Sequence, residues 1–182
     1  MEDKEIQIRK KIASLVTELA EHKYQSKTFI PGETVIPPSG KVMDVNELQF
    51  MVDSSLDGWL TTGRFNEAFE NKLANYLGVK HLLTVNSGSS ANLVAFSALT
   101  SPKLGERAIQ KGDEVITVAA GFPTTVNPAL QFGAVPVFVD IDMRTHNIQP
   151  ELIEDAISEK TKAIMLAHSL GNPFNLKVIV EI

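Results

Sequence analysis

His81-Leu82-Leu83-Thr84-Val85-Asn86-Ser87-Gly88-Ser89-Ser90-Ala91-Asn92 is the stretch on which the reading of the fold turns. An apolar run, Leu82 to Val85, gives way to small hydroxylated residues, and a helical run follows from Leu93 to Leu99. The pattern predicts a strand that turns on Gly88 and opens a helix at Ala91–Leu99, with serines in the first turn. Free N–H groups and the positive end of the helix dipole make such a turn a seat for phosphate. Gly88 allows a close backbone approach, and Ser89 and Ser90 add hydroxyl donors. A capped helix start that holds no ligand fits the same residues.

Downstream, the same rhythm repeats. Strand-like runs at His81–Val85, Glu114–Ala119, Pro136–Ile141 and Lys162–Ala167 alternate with helical ones near Thr124–Phe132 and Pro150–Ile157. Pro150 suits a first helical turn, where its missing N–H costs nothing. Continuous apolar strands separated by helices predict an α/β fold, a mostly parallel sheet with helices on both faces. Ser101–Gly112, with Lys103, Arg107 and Lys111, reads as a solvated loop.

In a parallel sheet the carboxyl ends of the strands share one edge, where ligands bind. That edge collects Ser87–Asn92, Ala120–Thr125 with Phe122, Asp140-Ile141-Asp142, and His168-Ser169-Leu170-Gly171-Asn172-Pro173. Each part also has a structural use: Phe122 in a core, Asp142 in a turn, His168 as a hydrogen-bonding partner. Asp140 and Asp142 alternate along a strand end, so they read either as a pair for acid–base work or as surface acids.

Upstream of Gly78 the pattern is helical. Ile8, Ile12, Leu15, Leu19 and His22 form one stripe on a helix of about Lys4–Gln25, which must cover its own domain or a partner subunit. Pro31 to Lys41, with Ile36-Pro37-Pro38-Ser39-Gly40, reads as an extended arm. Asp44 and Glu47 have the spacing of a capping box, ahead of Leu48, Met51, Val52 and Ser55. After the Trp59–Gly63 loop, Phe65, Phe69, Leu73 and Tyr76 share a second helical face that ends at Gly78.

Composition narrows the function. A net charge of −5 over 182 residues gives no electrostatic case for nucleic acid or an anionic membrane. There is no cysteine, so thiolate nucleophiles, disulfides and iron–sulfur ligation are excluded within the chain. No apolar run approaches the roughly 20 residues of a membrane span. The charged start, Met1-Glu2-Asp3-Lys4-Glu5, lacks the apolar region of a signal peptide, and a cytoplasmic location is expected. The chain also lacks G-x-G-x-x-G, a P-loop and a nucleophile elbow. His22, His81, His146 and His168 have no metal-ligand spacing, and no metal site is assigned.

Several of these stretches together resemble a known family. Gly58–Gly63, Phe69-Glu70, Tyr76–His81, Asn86–Asn92, Ala134–Asp142 and His168–Pro173 are similar, in order, to motifs of the DegT/StrS family. Phe29–Gly32, Ile36–Val42, the Trp59–Arg64 loop, the doubled serine before Asn92 and the Gly171-Asn172-Pro173 variant resemble its C3-dehydratase branch. The resemblance implies the type I (aspartate-aminotransferase-like) fold of vitamin-B6-dependent transferases. An N-terminal helix and arm would occupy 1–41, and an incomplete large domain 42–182. It implies pyridoxamine or pyridoxal 5'-phosphate as cofactor, with Gly88, Ser89 and Ser90 at the phosphate, Phe122 stacked on the ring, and His168 nearby. Thr125 and Asn127 would have supporting places.

The implied reaction removes the 3-hydroxyl of a CDP-4-keto-6-deoxyhexose, as in the 3,6-dideoxyhexose branch of lipopolysaccharide and O-antigen biosynthesis. A sugar aminotransferase of the same family is the nearest alternative, and an inactive truncated binding module is another. The resemblance further implies a homodimer, a nucleotide-sugar substrate and a reductase partner. The family's ring-nitrogen acid, its catalytic lysine or histidine, and the dehydratase iron–sulfur cluster would all fall beyond Ile182. On that reading the chain is an N-terminal fragment with no catalytic residue of its own, and weak or no cofactor binding is expected of it alone.

Overall fold

The computed structural model describes residues 2–25, 28–37 and 39–182. Met1 and Pro38, both used in the sequence reading, lie outside the described residues. The chain divides into two compact units, Met1–Thr84 and Val85–Ile182.

The first unit is helical. α1 spans Glu2–Lys23, α2 Val45–Leu56 and α3 Arg64–Leu77. Asp44 caps α2 in the expected box: its carboxylate accepts the Asn46 N–H at 2.7 Å, while the Asp44 N–H donates to Glu47 at 2.7 Å. Gly78 closes α3 in the left-handed region, at φ 67°, where a Cβ would be strained.

The face of α1 that packs is not the one the apolar spacing picks out. Ile8, Leu15, Leu19 and His22 are exposed, and of the stripe only Ile12 is half-buried. The inner face is Arg9, Ala13, Val16, Thr17 and Ala20. Gln49 on α2 donates to Thr17 Oγ1 at 2.8 Å, and Arg9 reaches Asp53 at 2.8 Å. Small residues let two helices approach closely, and a hydrophobicity pattern gives such residues little weight.

The arm folds locally on itself. The Thr34 N–H donates to the Ile30 carbonyl at 2.9 Å, and the Ile30 N–H donates back to Thr34 Oγ1 at 2.8 Å.

The second unit carries the sheet. β1 (Glu114–Thr117) lies between β2 (Val135–Phe138) and β3 (Thr161–Ile164), all parallel, in the order β2-β1-β3. Alternation along β1 feeds two apolar layers. Val115 joins Phe96 of α4 (Gly88–Leu99) and Ala129 of α5 (Asn127–Gln131). Ile116 joins Ile153 of α6 (Ile153–Ala156) on the other face, and Ile179 of α7 (Leu176–Glu181) packs against the same cluster. Helices therefore cover both faces, as the continuous apolar strands predict.

Two sequence expectations need correction here. His81–Val85 is not a strand: it joins no ladder, and the Thr84 N–H donates to the Glu70 carboxylate instead. Ser101–Gly112 is not a purely solvated loop. Pro102–Arg107 forms 3-10 turns, and Ala108 and Ile109 are buried, Ile109 in the Phe96 cluster. Among the described residues no helix is long and apolar enough to cross a membrane.

Candidate functional site

Ser87 starts the site by capping α4. Its Oγ accepts the Ser90 N–H at 3.1 Å and lies 3.2 Å from Ser90 Oγ, while its carbonyl accepts the Ala91 N–H. The N–H groups of Gly88 and Ser89 then have no acceptor among the described residues. Unlike the other two, they remain directed at whatever lies before the helix, at the positive end of its dipole. A Cβ built on Gly88 would meet nothing within 4 Å, so nothing inside the chain requires glycine there.

The second segment is tied to the first. Asn92 Nδ2, in the first turns of α4, donates to the Thr124 carbonyl at 3.2 Å. Thr124 belongs to the 3-10 turn Pro123–Thr125, which follows β1 and Phe122. Ser89, Ser90, Leu93, Thr124, Asn127 and Gln131 line a hollow of about 160 Å³ between them. Phe122, at the head of that turn, is 70% exposed, so its ring is free to cover another flat surface. Thr125 is buried, and Asn127 is exposed at the start of α5.

His168 sits beyond β3 on the same sheet edge, but its own loop engages it. The ring stacks on Phe174 with centroids 4.2 Å apart, and Nδ1 accepts the Phe174 N–H at 3.2 Å. Among the described residues, Nε2 has no hydrogen-bond partner and one ring face has no aromatic neighbour. Asp140 and Asp142 do not form an acid–base pair. Asp140 Oδ1 takes the N–H of Ile141 at 2.7 Å. Asp142 Oδ1 accepts the N–H groups of Thr145 at 2.8 Å and Arg144 at 3.0 Å, which hold its carboxyl below the ordinary carboxylate range. It is a turn former.

Two residues of the edge escape the sequence reading. Asn147 is buried and laces the His168 loop: its Oδ1 accepts the Ser169 N–H at 3.3 Å and its Nδ2 donates to the Asn172 carbonyl at 3.0 Å. Its neighbour His146 takes a positive φ of 59°. Asn147 itself sits in Thr145-His146-Asn147, where nothing marks one polar residue for burial. Thr117, on the Val115 face of β1, is only 2% exposed, and its hydroxyl has no partner among the described residues. A β-branched residue inside an apolar strand gives no signal of an unpaired hydroxyl.

Residues 42–182 match the DegT/DnrJ/EryC1/StrS aminotransferase family. The chain belongs to this family. Among relatives in it, lipopolysaccharide biosynthesis protein RfbH of Salmonella typhimurium is 62% identical over 175 residues, which is 96% of this chain and 40% of RfbH. dTDP-4-dehydro-2,6-dideoxy-D-glucose 3-dehydratase of Saccharopolyspora spinosa is 51% identical, over 87% of this chain and 34% of that enzyme. The solved E. coli GDP-4-keto-6-deoxy-D-mannose-3-dehydratase with bound hydrated PLP superposes with a TM-score of 0.72 at 37% identity, over 80% of this chain and 37% of that one. The α/β fold is thus that of the PLP-dependent sugar enzymes of this DegT-type family. The chain spans about two-fifths or less of the length of these relatives.

Proposed function

We propose that this chain is the phosphate-holding part of a B6-dependent nucleotide-sugar C3 dehydratase, acting on a 4-keto-6-deoxyhexose carried on CDP. The observation that carries the proposal is the open start of α4: two N–H groups without acceptors among the described residues, and a glycine whose Cβ position has no neighbour within 4 Å. In a chain 51% identical to a 3-dehydratase and 62% identical to a lipopolysaccharide-biosynthesis protein, a cofactor phosphate fits that opening best.

The residues suit such a group. Gly88 and Ser89 offer backbone N–H donors and Ser89 and Ser90 offer hydroxyls, while the helix dipole favours a dianion. Ser87 is spent on the cap, which keeps the first turn in shape. Phe122 supplies a flat apolar face that orients a ring and sheds water from it. His168, anchored through Nδ1, presents Nε2 as a hydrogen-bonding position beside the site. When bound, pyridoxamine phosphate supplies a ring that spreads negative charge while the 3-hydroxyl departs. Everything assigned to this chain is binding and orientation, and no residue of it is assigned as catalytic.

The same proposal divides the chain into a helix and arm, 1–41, and a large-domain portion, 42–182; the family match beginning at residue 42 supports it. A homodimer, a reductase partner and a cytoplasmic location complete the reading for the whole protein. The test is an assay of the full-length protein that contains this chain, with pyridoxamine phosphate, a reductant and a CDP-4-keto-6-deoxyhexose. Replacement of the sugar's 3-hydroxyl by hydrogen is expected, with one water released and the two electrons drawn from the reductant. Glutamate-dependent amino-sugar formation would overturn the dehydratase reading in favour of an aminotransferase.

A further inference from the structure

The loop that carries His168 joins no ladder. Midway along it Leu170 takes a positive φ of 53° with its side chain 92% exposed. An exposed leucine in the left-handed region persists only where its surroundings fix the backbone. On this loop the fixing side chain is Asn147. Its Oδ1 accepts the Ser169 N–H at 3.3 Å and its Nδ2 donates to the Asn172 carbonyl at 3.0 Å, so one amide braces the chain on both sides of Leu170. Asn147 can do this because its own place is set elsewhere. It is 5% exposed, its carbonyl accepts the Asp142 N–H at 2.9 Å, and the adjoining Ile148 belongs to the Ile116 core cluster. Asn172 Nδ2 returns a bond to the Thr145 carbonyl at 3.1 Å.

The braced loop closes on His168, whose Nδ1 accepts the Phe174 N–H at 3.2 Å. A neutral imidazole carries one proton, and the nitrogen that accepts a hydrogen bond holds the lone pair. The proton therefore sits on Nε2, and the open nitrogen is a donor. In that state it meets an acceptor oxygen of a ligand and takes up no proton from it. We infer that Asn147 is a positioning residue for His168: by bracing Ser169 and Asn172 it keeps the loop closed on the Phe174 N–H, and so fixes Nε2 as the donor. That a B6 phosphate ligand receives this bond rests on the function proposed above; the brace and the tautomer do not. All of these residues lie within the second compact unit.

Nitrogen-15 magnetic resonance of the whole chain without ligand, in buffer alkaline enough to keep the imidazole neutral, tests it. Wild type shows a His168 ring protonated at Nε2 alone, with coupling across the hydrogen bond from Nδ1 to the Phe174 amide. Asn147→Ala loses that coupling, populates both tautomers and exchanges the Phe174 N–H about tenfold faster, with β1 unchanged. Asn172→Ala removes an exposed bond but leaves the carbonyl that Asn147 reaches, and changes the same rate by under about threefold. A wild-type ring protonated at Nδ1 overturns the donor assignment. A ring and Phe174 amide unaltered in Asn147→Ala, or altered equally by Asn172→Ala, overturn the positioning role. An Asn147→Ala chain that unfolds, or whose β1 amides speed up by the same factor, overturns it too, because Asn147 then serves the fold and not the loop. With pyridoxamine phosphate added, His168 Nε2 should shift in wild type. Shifts at the Gly88 and Ser89 amides with Nε2 unmoved take His168 away from the ligand. No binding at all overturns the phosphate reading, while the ligand-free spectra still decide the brace.

Discussion

Ser87 and Thr117 show how single side chains set the terms of this site. Ser87 is a cap with a measurable worth: Ser87→Ala should lower stability by about 1 kcal/mol in urea denaturation, and no loss would mean the Ser90 N–H is satisfied otherwise. Thr117 is the reverse case. Its buried hydroxyl has no partner among the described residues, so Thr117→Val should be neutral or stabilising by about 1 kcal/mol. A clear destabilisation would show that the hydroxyl is paired in solution. Phe96 fixes the scale for packing. It is buried between sheet and helix and its ring lies 5.6 Å from that of Phe132. Phe96→Ala should cost about 3–5 kcal/mol, whereas Leu60→Ala, at a 99% exposed position, should change stability by under about 0.5 kcal/mol.

At the scale of elements, the helical unit is tied by charge as much as by apolar contact. Arg9 on α1 donates to Asp53 at 2.8 Å and to Asp57 at 3.2 Å, and Arg64 at the start of α3 grips the same two acids. The Arg64 guanidinium is the first cause holding both carboxyls below their ordinary range. A carboxyl depressed in the folded state adds stability above its unfolded pKa, near about 4, and loses it as pH falls through the lower folded value. Arg64→Leu should therefore flatten the acid limb of stability, and should lower the melting temperature at neutral pH by no more than about 4 °C, because the pairs are partly exposed and screened by salt. An acid limb identical to wild type would contradict the network. Elements also mark the limits of reading from sequence. The box at Asp44, the stop at Gly78 and the three strands are legible because caps, glycines and apolar runs act over a few residues. The inner face of α1 is not, because it is chosen by the small residues Ala13 and Ala20 and by Arg9, whose partners Asp53 and Asp57 lie 44 and 48 residues away.

For the molecule as a whole, the sheet edge was legible because parallel topology alone brings the loops after β1, β2 and β3 together. What topology could not supply was the division of labour along it. Asp142 folds a turn, and the ring of His168 is half-taken by Phe174. The hydrogen bond that ties α4 to the Phe122 turn runs from the Asn92 side chain to the Thr124 carbonyl. Each of those outcomes depends on backbone partners that the side-chain sequence does not display. The central claim concerns the opening at Gly88–Ser90. It is tested most directly by nuclear magnetic resonance titration of the labelled chain with pyridoxamine phosphate, and separately with pyridoxamine. Saturable shifts at the Gly88, Ser89 and Ser90 amides, weak in affinity and seen only with the phosphorylated form, are the predicted result. Shifts that leave those three amides untouched, or that appear equally with pyridoxamine, would contradict the account.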